Sequence, residues 1–192
     1  MKLEEVANIS IGILVNREIS KNGKYEYPIF NLKNYEEKQE YQTIKIEKDF
    51  SDKTTKQGDL LFRLVAPNKI IYVDETQETL LVPSQLCIIR ADQSKIHPIF
   101  LKWYLESQSG KEKIMLEHIG TSIQKISIAS LKKIEIPEVD RKKQENIKDL
   151  IEVWNQEKEI MKTIINTKEM LYSNIIEQII QGGETFGNIP NL

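Results

Sequence analysis

A single cysteine, Cys87, and two histidines, His97 and His118, are all that this 192-residue sequence offers of the softer metal ligands. One cysteine cannot close an internal disulfide, and so small a set cannot build a Cys/His zinc site of familiar spacing. A disulfide-stapled secreted scaffold and a zinc module are therefore excluded. Glycine and proline are also scarce, at 8 and 6 residues, too few for a disordered or low-complexity chain. No run of 18 apolar residues occurs, and Met1-Lys2-Leu3-Glu4-Glu5-Val6 is acidic and amphipathic where a secretory signal would be basic and then apolar. The expected location is the cytoplasm, with no membrane contact.

Charge of one sign is lacking too. Twenty-seven Lys and Arg stand against 29 Asp and Glu, a formal net charge of −2, which excludes a uniformly basic nucleic-acid binder and leaves such a role only to local clustering. Signs of catalysis are missing as well: there is no G-x-S-x-G, no Gly-rich loop after a strand, no H-E-x-x-H and no D-x-D-x-D-G loop. Asp49, Asp52 and Asp59 lie close in sequence, but beside Lys48, Lys53 and Lys56 they read as a solvated turn.

What is present changes character near Pro137. Five glycines, Gly12, Gly23, Gly58, Gly110 and Gly120, precede it, and Gly182, Gly183 and Gly187 follow, so the turns belong to the first region. There the period-two pattern of Gln42–Ile46, the run Leu60–Val65 after Gln57-Gly58-Asp59, and Ile70–Val73 after Pro67-Asn68 predict three strands of a curled, mostly antiparallel sheet. Leu80–Val82, Pro83 and Leu86–Ile89 predict another strand pair or one strand broken at the proline, and Ile134–Ile136 a short late strand. Pro98 opens an amphipathic helix with Phe100, Leu101, Trp103, Tyr104 and Leu105, which Gly110 would end, and Lys111–His118 adds a further turn or two. Trp103 and Tyr104 are expected in the core.

From Asp140 to Gln181 neither Pro nor Gly occurs; Asp140 can cap the start and Gly182-Gly183 the end. One helix of this length spans about 60 Å, too long for a small domain to cover. Ile147, Ile151, Trp154, Lys158, Met161, Ile165, Lys168, Tyr172, Ile175 and Ile179 recur at spacings of four and three, a coiled-coil seam interrupted by two lysines. Leu150, Val153, Ile160, Ile164 and Leu171 form a second, partial seam beside it. The expected fold is α+β: residues 1–138 form a mixed α/β domain with a curled sheet, 139–182 a long coiled-coil helix, and 183–192 a mobile tail.

Recognition chemistry is concentrated on the predicted loops and strand ends. Arg17, Lys21 and Lys24 make a basic stretch; Asn31 and Lys33 follow Ile29-Phe30; Arg63 lies in a strand; Asn68-Lys69 form a turn; and Ser84, Gln85, Thr121, Ser122, Gln124 and Lys125 add hydroxyl, amide and ammonium groups. Arg and Lys pair with phosphate or guanine, Asn and Gln with adenine edges, Ser and Thr with phosphate oxygens.

Several motifs occur in an order that resembles half of a specificity subunit of a type I DNA restriction-modification system. Gln57-Gly58-Asp59-Leu60-Leu61-Phe62-Arg63 is similar to the family's GD-[IL]-L-[IF] strand, Ser84-Gln85 with Ile88-Ile89-Arg90 to its SQ strand, and Ile96–Leu105 to its proline-led helix. Gly120-Thr121 with Gln124 and Ser127, then Leu131–Pro137, then Gln144–Ile147 continue the series. Two departures stand out. Family members carry two target recognition domains and two long helices where this sequence has one of each, and Leu64–Lys69 replaces a Ser/Gly-rich segment.

The resemblance implies a non-catalytic subunit that reads double-stranded DNA through its target recognition domain. Its helix would bind methyltransferase subunits, and the assembly would direct these and the restriction subunit to a bipartite site. It implies no cofactor on this chain, S-adenosylmethionine being bound by the methyltransferase partner. A single domain with one long seam is expected to form a homodimer through Ile147, Ile151, Trp154, Met161, Ile165, Tyr172, Ile175 and Ile179. The competing expectation is a structural assembly partner that keeps the fold without reading DNA. A methyltransferase in its own right is disfavoured, because Asn188-Ile189-Pro190 lacks the Asn/Asp-Pro-Pro-aromatic run of an adenine methyltransferase.

Overall fold

The apolar runs Leu60-Leu61-Phe62 and Leu86–Ile89 show no polar alternation because both faces of their sheet are covered. The computed structural model describes residues 1–120 and 124–181. It forms a four-stranded sheet from β1 (Ala7–Ile11), β4 (Leu60–Arg63), β5 (Ile70–Tyr72) and β6 (Leu86–Ala91), and a two-stranded one from β2 (Tyr25–Pro28) and β3 (Thr43–Ile46). The larger sheet has the order β1-β6-β4-β5 with every pair antiparallel. It is open, not closed into a barrel.

Successive side chains of β4 point to opposite faces and enter different cores. Leu60 and Phe62 join Ile9, Cys87 and Ile89 in the first core, which is closed by Phe100, Leu101, Tyr104 and Leu105 of α4 (Pro98–Glu106), Ile114 of α5 (Gln108–Leu116) and Leu131 of α6 (Ile128–Lys133). Leu61 meets Ile71, Leu86 and Ile88 on the other face, under Phe30 and the rings of Tyr35 and Tyr41. Tyr35 belongs to α3 (Leu32–Glu37). Ile13, Ile44, Ile46 and Leu81 form a third, smaller core with Tyr27 of the β2–β3 pair. The remaining short helices, α1 (Leu3–Val6) and α2 (Val15–Glu18), flank β1 in sequence. Burial pushes the Cys87 thiol up to about 12.

Five sequence expectations need correction. The strand predicted at residues 42–46, observed as Thr43–Ile46, does not join the predicted runs 60–65 and 70–73; it pairs with β2, an element the period-two pattern did not reveal. Leu80–Val82 is not a strand, and Leu81 instead makes single bridges to Ile29 and Thr54. Ile134–Ile136 is reduced to one bridge, Lys2 to Glu135. Gly110 does not end α4. That helix stops at Ser107, whose hydroxyl accepts from the Gly110 amide at 3.2 Å and starts α5. Gly110 is buried there for lack of space, since a Cβ would meet the Tyr104 carbonyl oxygen at 2.2 Å. Lastly, Tyr104 is buried but Trp103 is 42% exposed.

The acidic turn is also more than a solvated one. Asp59 is 1% exposed, and its carboxylate takes two 2.7 Å hydrogen bonds from Arg90 Nε and Nη2. Hydrogen bonding to Asp59 raises the Arg90 pKa. This bidentate pair ties the entry of β4 to β6 in a place where an unpaired carboxylate would be costly.

The last element, α7, runs from Arg141 to Ile180. Asp140 caps it as expected, its Oδ1 accepting from the Lys143 amide at 3.0 Å. The described chain divides between Lys148 and Asp149, so the first two turns of α7 belong to the first unit. In the second unit no described residue is buried, and Leu150, Val153, Trp154, Ile160, Met161, Ile164, Ile165, Leu171 and Tyr172 are each about half exposed or more. Among the described residues, no helix is long and apolar enough to cross a membrane.

Candidate nucleic-acid interface

The end of β4 and the chain that follows it bring several of the sequence candidates together. Leu64 N donates to the Gln85 carbonyl at 3.1 Å, Ala66 N to the Gln124 carbonyl at 3.0 Å, and Ile126 N to the Leu64 carbonyl at 3.0 Å. Gln85, Arg63–Ala66 and Gln124–Ile126 thus run side by side. Lys125 bridges Val65 and also exchanges two hydrogen bonds with Ile119, at 2.9 and 3.1 Å.

A compact turn stands beside this ladder. Arg63 N donates to the Lys69 carbonyl, and Asn68 Nδ2 donates to the Arg63 carbonyl, each at 2.9 Å. The Ala66–Pro67 peptide within it is cis. Lys69 Nζ pairs with Glu36, which brings α3 to the same edge. Gln85, Gln124 and Lys125 are exposed, whereas Arg63, Asn68, Lys69 and Ser84 are half-buried.

Asn68, Lys69 and Gln124 line one wall of an open cavity of about 520 Å³ whose remaining lining includes Pro67, Leu105, Ile114, Met115 and His118. His118 Nε2 is buried there without a hydrogen-bond partner among the described residues. Neither His118 nor Lys111, which also lines the cavity, was distinguishable in sequence from ordinary helix-end residues.

The other candidates divide. Ser84 N donates to the Ile13 carbonyl at 2.8 Å, so Arg17 on α2 follows four residues after a contact with the ladder's edge. Lys21 and Lys24 are exposed near the two-stranded sheet, between Ser20, which donates to the Lys45 carbonyl, and β2. They are not part of the Gln85–Gln124 group. Asn31 is a helix cap: its Oδ1 accepts from Lys33 N at 2.9 Å and Asn34 N at 3.4 Å, so that oxygen is committed to α3. Lys33 lies 3.8 Å from Glu37 on the exposed face of the same helix. Thr121 and Ser122 lie outside the described residues.

The arrangement can present amides, a hydroxyl and cations along one edge of a rigid sheet, a chemistry suited to contacting base edges and phosphates. Among the described residues no group of three or more His, Cys, Asp or Glu is placed to hold a metal ion.

The fold itself has known counterparts. The S subunit of a type I restriction-modification system from M. genitalium superposes with a TM-score of 0.59 over 93% of this chain and 44% of its own, at 18% identity. The chain has the S-subunit fold. The HsdS subunit from Thermoanaerobacter tengcongensis matches with a TM-score of 0.64 over 99% of this chain and 50% of its own, at 14% identity. A chain from structural work on assembly and conformational transition of the type I restriction-modification system gives the same values. The chain spans about half the length of the solved proteins it matches. No family model and no curated protein matches its sequence.

Proposed function

We propose that this chain acts as a non-catalytic specificity subunit of a type I restriction-modification system, reading double-stranded DNA through residues 1–138 and joining methyltransferase subunits through its long helix. The observation that carries this reading is the likeness to S-subunit structures over nearly the whole chain. A second recognition unit of the same kind, on a paired copy, would give the complex two DNA contacts.

The exposed seam of α7 supports that pairing. Trp154, Met161, Ile165, Tyr172 and their neighbours leave water only on contact with another apolar face. An antiparallel pair would place two identical recognition units about a two-fold axis, and the DNA site would then be two inverted half-sites separated by a spacer. Each unit alone binds modestly and with strong salt dependence, and linkage of two raises the effective concentration of the second contact. Gln124, Lys125, Ser84 and Gln85 are the leading reading residues, with Arg63, Asn68 and Lys69 beside them and Arg17, Lys21 and Lys24 toward the phosphates. Thr121 and Ser122 remain candidates by sequence.

Coexpression with the neighbouring methyltransferase subunit, followed by mass measurement and mapping of methylated DNA, tests this function. A complex containing two copies of the chain and marking a bipartite, inverted-repeat site is the expected result. A dimer that joins no methyltransferase and marks no DNA would make the chain an assembly scaffold.

A further inference from the structure

The cavity beside the reading ladder, about 520 Å³ in volume, falls within the range of roughly 300–1,000 Å³ that holds a small organic molecule. Separate stretches of the first unit build it. Asn68 and Lys69 come from the turn after β4, Leu105 from the end of α4, and Lys111, Met115 and His118 recur at helical spacing along α5 and just past its end. The Ala66 amide donates to the Gln124 carbonyl at 3.0 Å, so the lining is fastened directly to the ladder.

Two kinds of chemistry meet in this lining. Pro67, Ile70, Leu105 and Ile114 supply apolar surface. Beside them stand hydrogen-bonding groups without a partner among the described residues: the buried His118 Nε2, the Gln124 side-chain amide, and Asn68 Oδ1, the Nδ2 of the same asparagine being used on the Arg63 carbonyl. A buried nitrogen left unpaired is costly. An apolar side chain seated here would cover the hydrophobic surface and leave that nitrogen unpaired, whereas a phosphate would pair with it and leave the apolar surface wet. A flat heterocycle with donors and acceptors on its edge satisfies both. Glu106 is already paired with Lys102, and Lys69 with Glu36, while Lys111 is exposed on the rim, where its ammonium can meet a phosphate flanking the ring.

We propose that this cavity receives one nucleobase drawn out of the duplex, held by its edge on His118 Nε2 and Gln124 and by its faces against the apolar lining, so that one position of each half-site is read outside the stack. This inference rests on the DNA-reading function proposed above. It assigns the recognition unit an extruded base of its own, at a position other than the base that becomes methylated. Extrusion breaks the pairing of that base, so it is easiest where the pairing is already absent. Discrimination then comes from an enclosed set of polar groups, which rejects a base that leaves them unpaired.

The test uses the full-length chain with its methyltransferase subunit, on duplexes carrying the half-site that methylation mapping defines. At each unmethylated base of the half-site, on both strands in turn, the opposite base is replaced by an abasic residue and binding is measured; in a second series the base itself is replaced by a fluorescent analogue. One position should bind about tenfold or more tightly opposite the abasic residue, because its unpairing has been done in advance, and the analogue there should brighten on binding. Met115→Trp, which places a larger side chain in the lining, should abolish both responses at that position while the rest of the half-site is read as before. His118→Phe, which keeps a ring and removes the nitrogen, should relax the choice of base at that position alone. If Met115→Trp does not fold, His118→Phe carries the test. Absence of any responding position, or a response and base choice unchanged in the folded variants, overturns the inference and leaves the proposed function standing. Release of the methyltransferase subunit by Met115→Trp, with no responding position in the wild type, overturns it in favour of a protein side chain as the occupant. A wild-type complex that marks no DNA removes both the inference and the proposed function.

Discussion

The same kinds of side chain meet opposite fates in the two units. In the first, Leu60, Phe62, Ile71, Ile88 and Ile89 are fully buried between segments from distant parts of the sequence; in the second, Ile160, Met161, Ile164, Ile165 and Leu171 stand half exposed or more. Composition does not separate these sets, but contact order does. The sheet strands gather neighbours from both faces, while a lone helix offers its side chains only to its own surface. Residues 1–148 are therefore equipped to hold their own structure, whereas the amphipathic face beyond Asp149 is left uncovered among the described residues.

The largest effect expected from breaking this contrast lies in the first unit. Phe62→Ala removes a fully buried ring from the first core and should cost roughly 3–5 kcal/mol, read as a lowered denaturation midpoint in urea. The matching disruption of the second unit, Met161→Asp with Ile165→Asp, should leave that midpoint nearly unmoved. It should instead turn a dimer into a monomer by sedimentation; a dimer that survives both charges would place the pairing surface elsewhere.

Gln124→Ala with Lys125→Ala probes the reading edge, and each lost base contact is expected to weaken discrimination by about 1–3 kcal/mol. Methylation should fall while the mass of the complex stays unchanged. Unaltered methylation would remove both residues from the DNA-reading set.

The smallest expected effect is at the junction. Hydrogen bonding to the Lys143 amide and side chain holds the Asp140 carboxyl below the usual aspartate range. A carboxylate favoured in this way stabilises the folded form at pH above its unfolded pKa, and the contribution is lost as pH falls through the lowered folded value. Hydrogen exchange in residues 140–148 should accelerate in that acidic window for the wild type, and Asp140→Asn should flatten the dependence.

Much of this was legible in the sequence where one local pattern decides the outcome. The long helix follows from forty residues without Pro or Gly behind a capping aspartate, and α4 from Pro98 with its apolar face. The strand partners were not legible, because Thr43–Ile46 carries the same period-two signal whether it pairs with β2 or with β4. Asp59 looked like a surface acid because its partner, Arg90, lies 31 residues away. The site shows the same limit. Loop chemistry singled out Gln85, Asn68 and Gln124, but only the ladder through Leu64 and Ala66 places them on one edge, and Asn31 proved to be a cap because the same side chain serves both roles.

The buried Cys87 has a practical consequence. Only a thiolate attacks an alkylating or disulfide-forming reagent, and this thiol is both enclosed and held protonated far above neutral pH. The native chain is therefore silent toward such reagents while folded. A cysteine introduced at an exposed position of α7, such as Asn155, would be its sole reactive handle, ready for a spin label or dye without any further substitution.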